Sequence, residues 1–211
     1  MDWTRTLQNG DTGSDVQEAQ IRVAGWAADS PSQTYVIVDG VFGNGTEAAV
    51  VRFQRAYGLS ADGIVGPQTQ NQLNALESSD GSTANFAFSE FYSKDGSGFS
   101  GGNVGATQVK ENVRRLMYKL EATRKKLGNA AVVINSGFRS VTHNANVGGA
   151  SNSQHTYGIA ADIDPVGKYP SQVAEVTKTC GFSGIIEYNT FVHNDSRVEY
   201  PYGAPSFYWN A

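Results

Sequence analysis

Apolar side chains recur along this chain in two rhythms. Up to residue 76 they fall at helical spacing: Val16, Ala19 and Val23, then Ala49, Val50 and Phe53, then Leu73 and Leu76. Gly13-Ser14 stands before the first group as an expected N-cap. Between these stripes the chain repeats itself. Val38-Asp39-Gly40-Val41-Phe42-Gly43 aligns with Ala61-Asp62-Gly63-Ile64-Val65-Gly66 at an offset of 23 residues. The register continues from Thr46 onto Thr69, from Val50 onto Leu73 and from Phe53 onto Leu76. Each copy reads as an Asp-Gly turn, a second glycine and a helix, because glycine accepts the positive φ such turns need. The expectation is a small all-α domain of three helices over residues 1–76.

The second rhythm is mixed. Val109, Val113, Leu116, Met117, Leu120 and Leu127 form one stripe between Thr107 and Gly128, with Lys110, Glu111, Arg114, Arg115, Lys119 and Lys125 opposite. That pattern predicts an amphipathic surface helix. Ala131–Asn135 reads as a buried strand. From Gly158 to Ile163, apolar Ile159, Ala161 and Ile163 alternate with Ala160 and Asp162 as a second strand. Ser171–Cys180 reads as a helix, Ile185-Ile186 and Phe191-Val192-His193 as strands, and an aromatic strand ends the chain. Without regular βαβ alternation the expected class is α+β, a small antiparallel sheet with flanking helices over residues 85–211. Polar Glu77–Ala84 reads as a short flexible linker, residues 77–84.

Composition narrows the function. No apolar run approaches the roughly 20 residues that span a bilayer, and Met1-Asp2-Trp3-Thr4-Arg5-Thr6 lacks a signal core. A removed leader or another export route is the expectation, with a secreted or wall-associated location and phage-type release from the cytoplasm as the alternative. The net charge of −4 gives no support for nucleic-acid binding. It is divided unevenly, −4 over residues 1–76 and +2 over residues 85–211, which accords with two units. Nothing calls for more than a monomer. Cys180 is the one cysteine, so no internal disulfide forms, and a small buried apolar role is expected of it.

The chemistry centres on two of the three histidines. His155 and Asp162 flank Gly158, and His193 lies in a later strand. Two imidazoles and a carboxylate are three protein ligands for zinc, and a catalytic zinc keeps its fourth position for water. A cysteine-built structural zinc site is excluded. Asp162 projects from the strand face opposite Ile159 and Ile163, and Asp164 on that face is the rival ligand. His143 reads as a solvated loop residue.

Two resemblances sharpen this. Gly13-Ser14-Asp15-Val16-Gln17, Asp39-Gly40-Val41-Phe42-Gly43, Val51-Arg52-Phe53-Gln54, Gly58-Leu59 and Asp62-Gly63-Ile64-Val65-Gly66-Pro67 resemble the peptidoglycan-binding module. Ser153-x-His155-x-x-Gly158-x-Ala160-x-Asp162 resembles the signature of the D-alanyl-D-alanine metallopeptidases, which include zinc D-Ala-D-Ala carboxypeptidases, vancomycin-resistance dipeptidases and phage endolysins. Ser136-Gly137-Phe138-Arg139-Ser140-Val141 and Asn146–Ser153 are similar to the carboxypeptidases that carry the same N-terminal module. The resemblance implies one catalytic zinc on His155, Asp162 and His193. It implies that Arg139 holds substrate or steadies its carbonyl oxygen, and that Ser153 contacts substrate. Tyr157 is expected to wall the cleft, and Asp195 to orient His193 from behind.

The chain departs from the family at Thr190, where many members carry glutamate, and at Phe191, where others carry histidine. Glu187 is therefore the expected general base. The implied function is hydrolysis of peptidoglycan stem peptides by a D-Ala-D-Ala carboxypeptidase. The alternatives are a lytic endopeptidase and a non-catalytic wall-binding protein with structural zinc.

Overall fold

The computed structural model describes residues 2–32 and 34–210. The first unit holds α1 (Ser14–Val23), α2 (Asn44–Ala56) and α3 (Pro67–Asn74). The sequence repeat is a structural repeat with a polar clamp at its centre. Gln20 of α1 donates from Nε2 to Asp39 Oδ1, the Val41 carbonyl and Thr46 Oγ1, and accepts from the Gly40 amide. Gln54 of α2 does the same with Asp62, Ile64, Thr69 and Gly63. Both glutamines are buried, so satisfying every amide hydrogen there fixes where each turn sits. Gly40 and Gly63 take φ of 77° and 75°, the left-handed region that the turns require. The expected N-cap of α1 differs in detail. Gly13 occupies the cap and no side chain bonds there.

The second unit holds α4 (Ala106–Lys126), α5 (Val141–Asn146) and α6 (Pro170–Thr177) around a five-stranded sheet. Its strands are β1 (Val132–Ser136), β2 (Ala160–Pro165), β3 (Gly184–Glu187), β4 (Val192–Asp195) and β5 (Phe207–Asn210), ordered β1-β2-β4-β3-β5. Four strands pair antiparallel as expected, whereas β5 runs parallel to β3, so the sheet is mixed. β1 is an edge strand with Val133 48% exposed, which corrects the reading of residues 131–135 as buried. Continuous apolar runs mark buried strands only where both faces are covered. Gly158, at φ 73°, lets the chain pass close over α4, where a Cβ would stand 2.9 Å from Val109 Cγ1.

The two units share one core, drawing on Val16, Trp26 and Phe53 from the first and on Val113, Leu116 and Leu120 from the second. Gly25 sits so close to α4 that a Cβ would collide with Ala122. An ionic chain crosses the same interface. Arg22, 1% exposed, bonds Glu18 and Glu77 at 2.7 Å each and the Leu73 carbonyl at 3.2 Å. Glu18 in turn holds Arg114 of α4.

Residues 77–84 therefore do not form the flexible linker expected. The Ser78 amide donates to the Ser82 carbonyl, Ser82 donates twice to Asp80, and the Ala84 amide closes on Leu76. The polar groups bond one another, and Glu77 is pinned by a buried cation.

Removing that cation takes from Glu18 and Glu77 the buried partner they share and leaves the Leu73 carbonyl without its guanidinium donor. Arg22→Ala should cost about 3–5 kcal/mol, read by urea denaturation. Trp fluorescence and circular dichroism should report one transition for both units. Two separated transitions would overturn the shared core.

Candidate metal centre

The β2–β4 register sets Asp162 directly opposite His193. The same cross-strand row continues to Ser136 on one side and to Ile186 and Trp209 on the other. His155 reaches it from a 3₁₀ turn, Gln154–Tyr157, that ends on Gly158. His155 Nε2 lies 3.2 Å from both Asp162 Oδ1 and His193 Nδ1, and His193 Nδ1 lies 2.9 Å from Asp162 Oδ1. All three side chains are buried, and their ligand atoms fall within 4.8 Å of one another.

Hydrogen bonds assign the tautomers. His155 Nδ1 donates to the Gly137 carbonyl at 2.6 Å, which turns a bare Nε2 to the centre. His193 Nε2 donates to Asp195 Oδ2 at 2.9 Å, which turns Nδ1 there. Burial lowers the pKa of His155 against the pull of Asp162. Burial also resists ionisation of Asp162, yet the imidazoles hold its carboxyl well below the usual carboxylate range. Burial works against charge on His193 too, but hydrogen bonds to Asp162 and Asp195 raise it to about 9.

The cluster thus calls for one positive charge where the three atoms meet, and either a proton on His193 Nδ1 or a cation meets that demand. The ligand atoms fit zinc. Tetrahedral bonds near 2.1 Å put ligand atoms about 3.4 Å apart, against the 2.9–3.2 Å seen.

The centre opens into a cleft of about 440 Å³. Arg139 lines it, held by Nε to Ser136 Oγ at 2.8 Å and by Nη2 to Asp162 Oδ2 at 2.7 Å. Ser153 lines it as well, together with Gly148, Gly149 and Ala150. Asp195 stands behind His193, bonded to its Nε2. Two expectations are corrected. Strand alternation turns Glu187 to the face shared with Val192, away from His193, and it does not line the cleft. Tyr157 stacks on Tyr202 at 4.7 Å and also lies outside the cleft, because its turn carries it to the side opposite His155. Asp164 is exposed and His143 lies on α5; neither joins the cluster.

Sequence reasoning missed Tyr188 and Phe191, which stack at 4.5 Å and form one wall, and Arg197, which lines the cleft beyond Asp195. Period-two spacing from Ile186 to Tyr188 was the available signal for the first.

Residues 84–195 match the family Peptidase M15, and residues 12–73 match a putative peptidoglycan binding domain. The zinc D-Ala-D-Ala carboxypeptidase of Streptomyces albus G is 41% identical over 209 residues, 99% of this chain and 80% of its own length. The probable N-acetylmuramoyl-L-alanine amidase of Bacillus licheniformis is 38% identical over 73 residues, 35% of this chain and 20% of the amidase. A solved peptidoglycan-binding protein from Clostridioides difficile is 40% identical over 35% of this chain and 42% of its own, with a TM-score of 0.30.

Two outcomes follow from the geometry. Zinc must displace the His193 proton, so its affinity should rise with pH, about tenfold per unit up to about 9, where the proton is already gone. Calorimetry in buffers of different ionisation enthalpy should count one released proton near pH 6, below the range in which a zinc-bound water ionises. Glu187→Gln should leave turnover unchanged; a large loss would return Glu187 to the chemistry.

Proposed function

The chain belongs to the peptidase M15 family, and on that premise we propose that it is a zinc peptidase that removes the terminal D-alanine from peptidoglycan stem peptides. The observation that carries this reading is the His155–Asp162–His193 centre on the floor of an open cleft. It is supported by a zinc D-Ala-D-Ala carboxypeptidase being 41% identical across both units.

We assign His155, Asp162 and His193 as the ligands. Zinc bound there supplies a water acidified to a pKa of about 7 and polarises the scissile carbonyl. The chain's own residues do the rest. The stem peptide lies between the glycine-rich lip that ends at Ser153 and the Tyr188–Phe191 wall. Ser136 and Asp162 fix the plane of the Arg139 guanidinium and leave Nη1 for a substrate oxygen. A fixed cation stabilises charge as it develops on that oxygen without reorganising.

Asp162 is the one carboxylate lining the cleft among the described residues, and it is too strongly ionised to serve as a base. The protein therefore contributes orientation and charge stabilisation rather than a separate proton acceptor. Overall, the water's hydroxyl joins the carbonyl carbon and its proton reaches the leaving amine.

Residues 1–76 act as the wall anchor, residues 77–84 as a fixed turn and residues 85–211 as the catalytic domain. The shared core holds anchor and cleft at one distance, so stem peptides on an anchored strand meet the cleft at high effective concentration. Work on the wall places the monomer outside the cell or in the wall layer. Among the described residues no helix is long and apolar enough to cross a membrane.

Purified walls digested with the zinc-loaded protein should release free D-alanine, read by mass spectrometry. New amino groups inside the cross-link would instead identify a lytic endopeptidase. Zinc bound with no product would identify a wall-binding protein. Arg139→Ala should lower kcat by about 10²–10³-fold, and near-normal turnover would remove Arg139 from the chemistry.

A further inference from the structure

The row of residues beside the metal centre carries a role of its own. Ala160, Asp195, Gly184 and Phe207 lie opposite one another across β2, β4, β3 and β5. Asp195 is wholly buried, and its carboxylate meets four N–H groups. One is His193 Nε2. The other three belong to Arg197: the backbone amide at 3.0 Å and Nε at 2.9 Å from Oδ1, and Nη2 at 2.6 Å from Oδ2.

Arg197 follows β4 in a 3₁₀ turn, Arg197–Glu199, and folds back over the row, where its guanidinium carbon lies 5.5 Å from the centre of the Phe207 ring. The space it fills exists because residue 184 has no side chain. A Cβ there would collide with both Asp195 oxygens and with Arg197 Nε.

We propose that Arg197, seated by Gly184, is the positioning residue for the His193 imidazole, acting through Asp195. The inference rests on the zinc reading of the centre. A carboxylate held by one imidazole alone is free to rotate about its own axis. A planar fork gripping both oxygens fixes its plane. The imidazole behind it is then held with Nε2–H engaged and Nδ1 facing the other ligands, the arrangement that sets ligand tautomer and ring angle at metal sites. The glycine belongs to the same device, because any side chain at 184 drives the fork and the carboxylate apart.

The test is zinc affinity of the full chain, by competition with a chromophoric chelator. Arg197→Gln should raise the dissociation constant about 10–100-fold. Gly184→Ala should move it in the same direction, and Arg197→Lys should fall between, keeping the charge but not the fork. Long-range proton–nitrogen spectra supply a readout that a purely structural role would not move. In the metal-free protein, at a pH high enough to leave His193 neutral, the wild type should show the single Nε2–H tautomer that the Asp195 bond selects, and Arg197→Gln a mixture. Folded Arg197 and Gly184 variants with wild-type zinc affinity and an unmixed tautomer would overturn the proposal. A wild type that binds no zinc would instead overturn the reading of the centre, and the proposal with it.

Discussion

The chemistry of this molecule depends on one register, the pairing of β2 with β4 that sets Asp162 against His193. Side chains alternate along a strand, so a slip by one residue would turn either group into the core and scatter the centre. The register is secured from both faces. On the core side Ala161, Ile163 and Val192 are fully buried, and the slip would expose them. On the cleft side the Gly137 carbonyl and the Asp195 carboxylate each claim one imidazole nitrogen. Apolar burial and polar satisfaction thus select the same alignment.

That agreement reaches the N-terminal unit. Arg22 is buried among Glu18, Glu77 and the end of α3, and Glu18 passes the ionic chain on to Arg114 of α4. α4 also lies beneath the strand that carries Asp162, through Val109 and Val113 against Gly158. One helix therefore touches both the module and the support of the metal centre. The two units are thus packed as one body, joined by apolar burial and by an ionic chain across α4.

Much of this was readable from residue order, and the failures share a cause. The helices of both units follow from apolar spacing, and the candidate ligands His155 and Asp162 were singled out by a short signature around Gly158, with His193 added from a later strand. The glutamine clamps were invisible because Gln20 and Gln54 lie 34 residues apart while the turns they hold lie 23 apart. A repeat search finds the turns and passes over the residues that pin them. The turn at residues 77–84 looked flexible because composition cannot show that its polar groups bond one another. Glu187 was expected to be the base because Thr190 and Phe191 stand where family members carry glutamate or histidine. The hairpin pairs it with Val192 instead, and a strand period of two decides which face it takes. Tyr157 failed the same way, since two residues along a 3₁₀ turn reverse direction. Proximity along the chain is a poor guide to facing direction, and facing direction is what a site requires.

Charge around the centre is distributed in pairs. Each carboxylate at the centre has its own arginine: Asp162 pairs with Arg139, and Asp195 with Arg197. With both imidazoles neutral, the cluster and its immediate partners sum to no net charge. A divalent cation held there would meet a group whose charges already balance, and would keep its excess charge, and so its field, toward the cleft. A ligand set richer in unpaired carboxylates would cancel part of that field and leave a bound water more basic, so that a separate proton acceptor would be needed. Here the paired arginines, both of which line the cleft, would preserve that field. The site neutralises each carboxylate at its centre with a cation of its own.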